Sequence, residues 1–341
     1  MIELEKLVRK NILALEPYTC AREEYSGNEG IFLDANENPY GQLNRYPDPK
    51  QKLLKQKLSE LKNIDLENIF LGNASDEIID LLIRIFCNPG KDKILVFTPT
   101  YGMYKVAAAI NDVEIIEMPL TKQFQPDLQN LPASFFGKTN CCKIAFFCSP
   151  NNPTGNILEI PDWFISSFTG IVVVDEAYID FCKQKSFIGK IANHQNLVVL
   201  QTFSKSWGLA AARVGMAFSN QKIVALLNKV KPPYNISTPN QLAAIEALEN
   251  VESFTIRLVE LLEEKDRLLN ELLSIPYIKK VFPSDANFFL VEVTNAEKIY
   301  SDLLKAGIVV RNRSSVVKNC LRISVGTREQ NLLLIEKLKN L

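Results

Sequence analysis

Hydrophobic positions along this chain fall into two rhythms that alternate over its first two thirds. One is the short, continuous apolar run: "NIFLGN", "DKILVF", "VEIIEMPL", "CKIAFFCSP", "IVVVDEAY" and "LVVLQTFSK". Runs of this length, several of them β-branched, predict strands buried on both faces. The other rhythm is helical. "RYPDPKQKLLKQKLSELKN" opens with two prolines and then takes helical spacing. A further helix is predicted from about Ser75 to Cys87, stopped by Pro89-Gly90, and "GMYKVAAAI" continues the strand before it as a helix. Strands alternating with helices predict an α/β fold with a mostly parallel sheet and right-handed crossovers.

Near Pro232-Pro233 the pattern changes. "STPNQLAAIEALENVESFTIRLVELLEEKDRLLNELLS" reads as one or two long helices. "ANFFLVEV", the helix "NAEKIYSDLLKAG", "GIVVRN", "CLRISVGT" and a closing helix then make a compact α+β module. These changes divide the chain into a large domain over 40–240 and a smaller one made of 1–39 with 241–341, the boundary falling within 235–275. Residues 1–30 read as an amphipathic helix and an extended arm ending near Gly30, expected to pack on the small domain or on a second subunit.

Composition narrows the classes of function. The chain has 341 residues, enough for two domains, and 39 basic residues balance 39 acidic ones. A neutral chain is not built to bind nucleic acid or an anionic membrane, so any cationic patch is local and suits a small anion. The seven cysteines form no C-x-x-C pair and lie mostly in apolar surroundings, which predicts buried free thiols in a reducing compartment. The single histidine, His194, leaves little for a histidine metal site or a Ser-His-Asp triad, and is expected in a loop before a strand. The charged N-terminus "MIELEKLVRKN" is no signal peptide, and no apolar run approaches a membrane span, so the expected location is the cytoplasm.

In open α/β sheets ligands sit at the carboxyl ends of strands. Here those ends carry Asn73-Ala74-Ser75-Asp76 at a helix start, Tyr101, Asn151-Asn152, Asp175 with Tyr178, and Ser204-Lys205. Each has a plain use: a helix cap, an edge aromatic, a turn, a structural ion pair. Together they describe something narrower. A helix start suits a phosphate, a tyrosine offers a flat face, and a carboxylate closing an apolar strand needs a partner. Lys205 and Arg213 stand in "TFSKSWGLAAARVG" with no acid between them. A phosphate cradle, an aromatic face, a buried acid and a lysine on adjacent strand ends point to pyridoxal 5′-phosphate.

The same segments carry a family resemblance. "LDANENPYG" (33–41), "RYPDP" (45–49), "TPTYGMY" (98–104), "SPNNPTG" (149–155), "DEAYIDF" (175–181), "TFSKSWGLAAARVG" (202–215), "ANFFLV" (286–291) and "CLRISVGT" (320–327) follow one another along nearly the whole chain. In this the sequence resembles the fold-type I pyridoxal-phosphate-dependent aminotransferases, and among them the histidinol-phosphate aminotransferase family. The resemblance implies a large domain with a mostly parallel seven-stranded sheet and a smaller α+β domain. It implies that Lys205 carries the cofactor covalently, that Asp175 pairs with its pyridine nitrogen, and that Asn152 and Tyr178 meet its 3-oxygen. Tyr101 would stack on the ring. Ala74, Ser75, Asp76, Thr202, Ser204 and Arg213 would surround the phosphate, with Tyr46 arriving from the second subunit of a homodimer. Arg322 and Arg311 would bind the substrate's anionic groups, and Tyr18 and Asn36 would line its pocket. The implied reaction moves the amino group of L-histidinol phosphate to 2-oxoglutarate, giving imidazole acetol phosphate and glutamate. An aromatic amino-acid aminotransferase and a threonine-phosphate decarboxylase would share the machinery. A non-enzymatic nucleotide-binding protein would share only the strand–helix rhythm.

Overall fold

A strand that is apolar at every position needs a core on each side, and the large sheet has two. The computed structural model describes residues 3–20, 30–137, 140 and 142–341; Cys141 and residues 21–29 of the N-terminal arm lie outside the described residues. In β4 (Cys142–Cys148) and β5 (Ile171–Asp175), Ala145, Phe147, Val172 and Val174 enter one core. Ile144, Phe146, Ile171 and Val173 enter the other. β6 (Leu197–Thr202) alternates likewise, Leu197 and Val199 against Val198 and Leu200. The period of two is the pleat itself.

With β1 (Ile69–Asn73), β2 (Lys93–Thr98), β3 (Glu114–Pro119) and β7 (Val214–Ser219), the sheet has seven strands in the order β1-β7-β6-β5-β4-β2-β3. The five from β6 to β3 are parallel neighbours. β7 is antiparallel to both β6 and β1. It is fully buried yet was not foreseen, because its small residues, "VGMAFS", continue the lysine segment without a turn signal. Its direction matters. The carboxyl ends of β1, β2, β4, β5 and β6 share one edge of the sheet, and β7 brings its amino end, preceded by Arg213, to that same edge.

The expected N-terminal helix is two short turns, α1 (Leu4–Leu7) and α2 (Lys10–Leu13). Leu4, Val8 and Ile12 recur every four residues and enter the core that backs the large sheet, while the Arg9 N–H donates to the Ile85 carbonyl at 3.0 Å. This part of the arm therefore packs on the large sheet's layer rather than on the small module. α3 (Lys52–Lys62) follows, then α4 (Ala74–Phe86), which begins and ends one residue earlier than the sequence suggests and stops before Pro89 and Gly90. α5 (Met103–Ile110), α6 (Asp162–Ser167) and α7 (Gln221–Val230) complete the crossovers.

The long C-terminal helical stretch is two helices broken at Asn250, α8 (Thr238–Glu249) and α9 (Val251–Leu273). α8 buries Ala244, Ile245 and Leu248 in the large core; α9 puts Leu268 and Leu272 into a separate one. That second core lies under an antiparallel sheet in the order β10-β11-β9-β8, made of β8 (Ile278–Val281), β9 (Phe288–Val293), β10 (Arg311–Asn312) and β11 (Cys320–Ser324). α10 (Ala296–Lys305) and α11 (Arg328–Lys339) cover it, supplying Leu303, Leu334 and Leu338. The six described cysteines are free thiols. His194 lies in the loop before β6, its ring 3.3 Å from the Ser166 hydroxyl. No described helix is long and apolar enough to cross a membrane.

Candidate active site

Because β7 runs backwards, two distant segments meet at the start of α4. The Ala74 N–H donates to the Arg213 carbonyl at 2.8 Å, and both residues hold left-handed backbone, with φ of 62° and 52°. Gly215 is packed so tightly behind them that a Cβ there would lie 2.4 Å from the Ala74 carbonyl carbon and the Ser75 nitrogen. Only glycine fits this contact. It leaves the amino end of a thirteen-residue helix beside the hydroxyls of Ser75, Ser204 and Thr202. Thr202 donates to Ser204 Oγ at 3.0 Å and accepts from the Ser204 N–H at 3.1 Å. Free N–H groups, hydroxyls and one guanidinium around a shared hollow are a cradle for a phosphate.

Asp76 stands in this cradle, but its charge is already engaged. Its carboxylate pairs with Arg213 Nη2 at 3.2 Å and accepts from the Tyr101 hydroxyl at 3.0 Å. It fixes the guanidinium and the aromatic ring rather than facing an anion alone.

Asp175 closes β5 and is only 2% exposed. The Tyr104 hydroxyl donates to Oδ2 at 2.8 Å and the Ala177 N–H to Oδ1 at 3.2 Å. Burial pushes its pKa up to about 6, and these two donors hold it from going higher. Lys205 follows β6 on a short loop. Among the described residues its Nζ has no hydrogen bond or ion pair, and it lies 5.6 Å from the centre of the Tyr178 ring. Its pKa is lowered, first by burial and then by the neighbouring charge of Arg322. The loop is anchored on both sides: Ser206 donates to Asp180, and Trp207 stacks on Phe254 at 3.8 Å.

Arg322 reaches this pocket from the small sheet. Leu321 points into the small core, so its neighbour faces the other way. Arg322 Nη1 donates to Asn152 Oδ1 at 2.5 Å, and the guanidinium lies 5.3 Å from the Phe288 ring centre. Among the described residues its Nε is buried without a partner. Arg311 sits directly opposite Arg322 in the β10–β11 register, but it is exposed. Arg313, two residues on, was not foreseen. Its Nε is also buried and unpartnered, and burial with the charges of Arg322 and Arg311 lowers its pKa. The alternation Arg-Asn-Arg, which puts both arginines on one face, was the available signal.

The sequence-predicted residues thus separate into two groups. Ala74, Ser75, Asp76, Tyr101, Asn152, Asp175, Tyr178, Thr202, Ser204, Lys205 and Arg213 line one pocket, together with Cys148 and Ala177. Tyr18, Asn36 and Tyr46 do not join it. Tyr18 is exposed and lines a different, larger cavity of about 910 Å³ beside Lys50, Lys52, Lys55, Lys229 and Lys231. Asn36 is exposed on the arm at a φ of 54°, and Tyr46 stacks on Tyr234 with ring centres 4.4 Å apart. We place the chemistry in the smaller pocket, because the unpartnered lysine, the buried carboxylate and the anion cradle converge there. A cradle shaped by Gly215, a buried carboxylate with acceptor capacity left on both oxygens, and a lysine with no polar partner fit pyridoxal phosphate.

The comparisons with known proteins agree. The model of the family "Aminotransferase class I and II" matches residues 27–338. A histidinol-phosphate aminotransferase of Cytophaga hutchinsonii is 50% identical over 345 residues, covering 98% of this chain and 98% of that protein. Among solved structures, the histidinol-phosphate aminotransferase of Clostridium acetobutylicum superposes with a TM-score of 0.77 at 27% identity, over 87% of this chain and 90% of that one. That of Sinorhizobium meliloti, in complex with pyridoxal-5′-phosphate, shares the fold with a TM-score of 0.79 at 23% identity, over 87% of this chain and 82% of that one. With the family matched across nearly its whole length and the pocket built as that chemistry requires, this chain is a member of the class I and II aminotransferase family, on the branch of the histidinol-phosphate aminotransferases.

Proposed function

We propose that the protein moves the amino group of L-histidinol phosphate to 2-oxoglutarate, giving imidazole acetol phosphate and glutamate, with pyridoxal 5′-phosphate as cofactor. The observation that carries this is that an unpartnered Lys205 and a buried Asp175 share one pocket, with Arg322 arriving from the small sheet to donate to Asn152 in its wall. When bound, the cofactor supplies a sink for the electrons left at the substrate Cα. The protein supplies the rest. Ser75, Ser204, Thr202, the helix start at Ala74–Ser75 and Arg213 would surround the phosphate, with the Ala74 N–H itself held by the Arg213 carbonyl, and Asp76 keeps Arg213 and Tyr101 aimed. Tyr101 would cover a face of the ring, Asn152 and Tyr178 would meet its 3-oxygen, and Asp175 would present a carboxylate to the pyridine nitrogen.

Lys205 holds the cofactor and, once released, takes the proton from the substrate Cα. Burial and the charge of Arg322 favour its neutral form, which is the form a base needs. Arg322 holds the anionic end of each substrate, a phosphate in one half-reaction and a carboxylate in the other; a planar guanidinium suits both. Tyr46 serves the site of a partner subunit in a homodimer, and Tyr18 and Asn36 reach substrate in that assembly. Arg311 adds positive charge beside Arg322. The enzyme works in the cytoplasm. Glutamate formation from histidinol phosphate and 2-oxoglutarate, with phenylalanine as a rival donor, tests the assignment. No glutamate from the phosphorylated donor, or a preference for phenylalanine, overturns it.

A further inference from the structure

Tyr104 was not among the candidate residues, yet it touches two of them. It lies three residues beyond Tyr101, inside the first turn of α5, and is fully buried. Its ring stacks on Phe146 of β4 with centres 4.7 Å apart and planes at 17°. Its edge meets the Tyr101 ring at 5.6 Å and 87°. Its hydroxyl donates to Asp175 Oδ2 at 2.8 Å. Packed on both sides, the phenol has one orientation, and that orientation spends its only donor on the carboxylate.

We propose that Tyr104 is a positioning residue for the cofactor: it keeps Asp175 ionised and aimed at the pyridine nitrogen while bracing the Tyr101 ring. The groups around the carboxylate make this role necessary. Tyr178, Cys148 and Asp76 face Asp175 with neutral or negative groups, and among the described residues the cation that acts on it is Lys205. The charged form thus rests first on two donors, Tyr104 and the Ala177 N–H, with the Lys205 charge adding less. Burial and the nearby Asp175 raise the Tyr104 hydroxyl's own pKa, so it stays protonated and remains a donor. The sign follows directly. Burial raises the Asp175 pKa to about 6 and the Tyr104 hydroxyl opposes that rise, so removing the hydroxyl moves the pKa further up.

This inference rests on the pyridoxal-phosphate reading, and one experiment separates the two. Full-length protein is stripped of cofactor and titrated with pyridoxal phosphate across a range of pH, for wild type, Tyr104→Phe and Phe146→Leu. The Tyr104→Phe variant loses one charged hydrogen bond, so its affinity falls about tenfold or more. The acid limb of its binding curve moves to higher pH. Phe146→Leu loosens the stack without touching the hydroxyl; it lowers Tm but leaves the acid limb in place. Wild-type affinity and an unmoved acid limb in Tyr104→Phe overturn the proposal. So does an equal shift in Phe146→Leu, which would make the effect one of packing alone. If wild-type protein takes up no pyridoxal phosphate at any pH, the cofactor reading falls and takes this proposal with it.

Discussion

Replacing Arg322 by alanine removes three things at once. It removes the charged donor to whatever anion the substrate presents. It takes from Asn152 Oδ1 the donor now at 2.5 Å, and it removes the second largest influence lowering the Lys205 pKa. The first is the largest. A hydrogen bond to a charged group contributes roughly 1.5–3 kcal/mol, so kcat/KM falls roughly ten- to 150-fold. On the proposed role one arginine serves both substrates, so both half-reactions suffer. The third effect has a separate signature. With Arg322 gone the Lys205 pKa rises, so the rate limb that requires a neutral lysine moves to higher pH. Arg322→Lys keeps a charge but loses the planar fork, and recovers part of the rate and most of the pH profile. The assay is steady-state kcat/KM for histidinol phosphate and for 2-oxoglutarate, each across pH. Wild-type efficiency in both half-reactions of Arg322→Ala refutes the anion-binding role. Loss confined to the dicarboxylate half sends the phosphate to another cation, with Arg311 or Arg313 next to be tested.

Two further outcomes are expected. Borohydride reduction of the cofactor-loaded protein, followed by peptide mapping, fixes the pyridoxyl group on Lys205; an adduct on Lys183 or Lys190 instead would mean that the pocket has been misplaced. Gly215→Ala drives a methyl into the backbone at Ala74 and Ser75, costing about 1–3 kcal/mol or more; thermal unfolding shows a lower Tm and cofactor titration a weaker Kd, and an unchanged value for both would show that the contact relaxes freely.

Much of this was legible beforehand, for a physical reason. Strands buried on both faces must be continuously apolar, so β4, β5 and β6 announce themselves, and the residues that end such runs in polar groups mark the edge where ligands bind. What failed was signalled only in three dimensions. β7 is built from small residues whose need arises from the α4 backbone packed against Gly215. β8, "IKKV", is short and carries two lysines on a sheet edge, and β10 shrinks to two residues, Arg311 and Asn312. Tyr104 reads as one more apolar position on a helix; that its hydroxyl meets Asp175 depends on how α5 lies across β4 and β5. Tyr18 and Tyr46 lie outside the pocket, Tyr18 on a separate cavity and Tyr46 stacked on Tyr234, so their placement there was not confirmed by the fold.

The placement of β1 has a consequence for the order of assembly. β1 is the first strand in sequence but an edge strand of the sheet, and its only strand neighbour is β7, the last of the seven to be made. On a growing chain, β2 to β6 can pair as they emerge, whereas β1 must wait for the segment around Val214–Ser219 to leave the ribosome. The half of the phosphate cradle carried by Asn73–Ser75 therefore has nothing to close against until the whole large sheet is synthesised. Contacts this far apart in sequence form slowly. Once closed, they are tied to the cofactor: a ligand that binds only the completed cradle shifts the folding equilibrium toward the finished sheet by mass action. Cofactor bound to the completed cradle would thus favour the finished sheet as well as supply the chemistry.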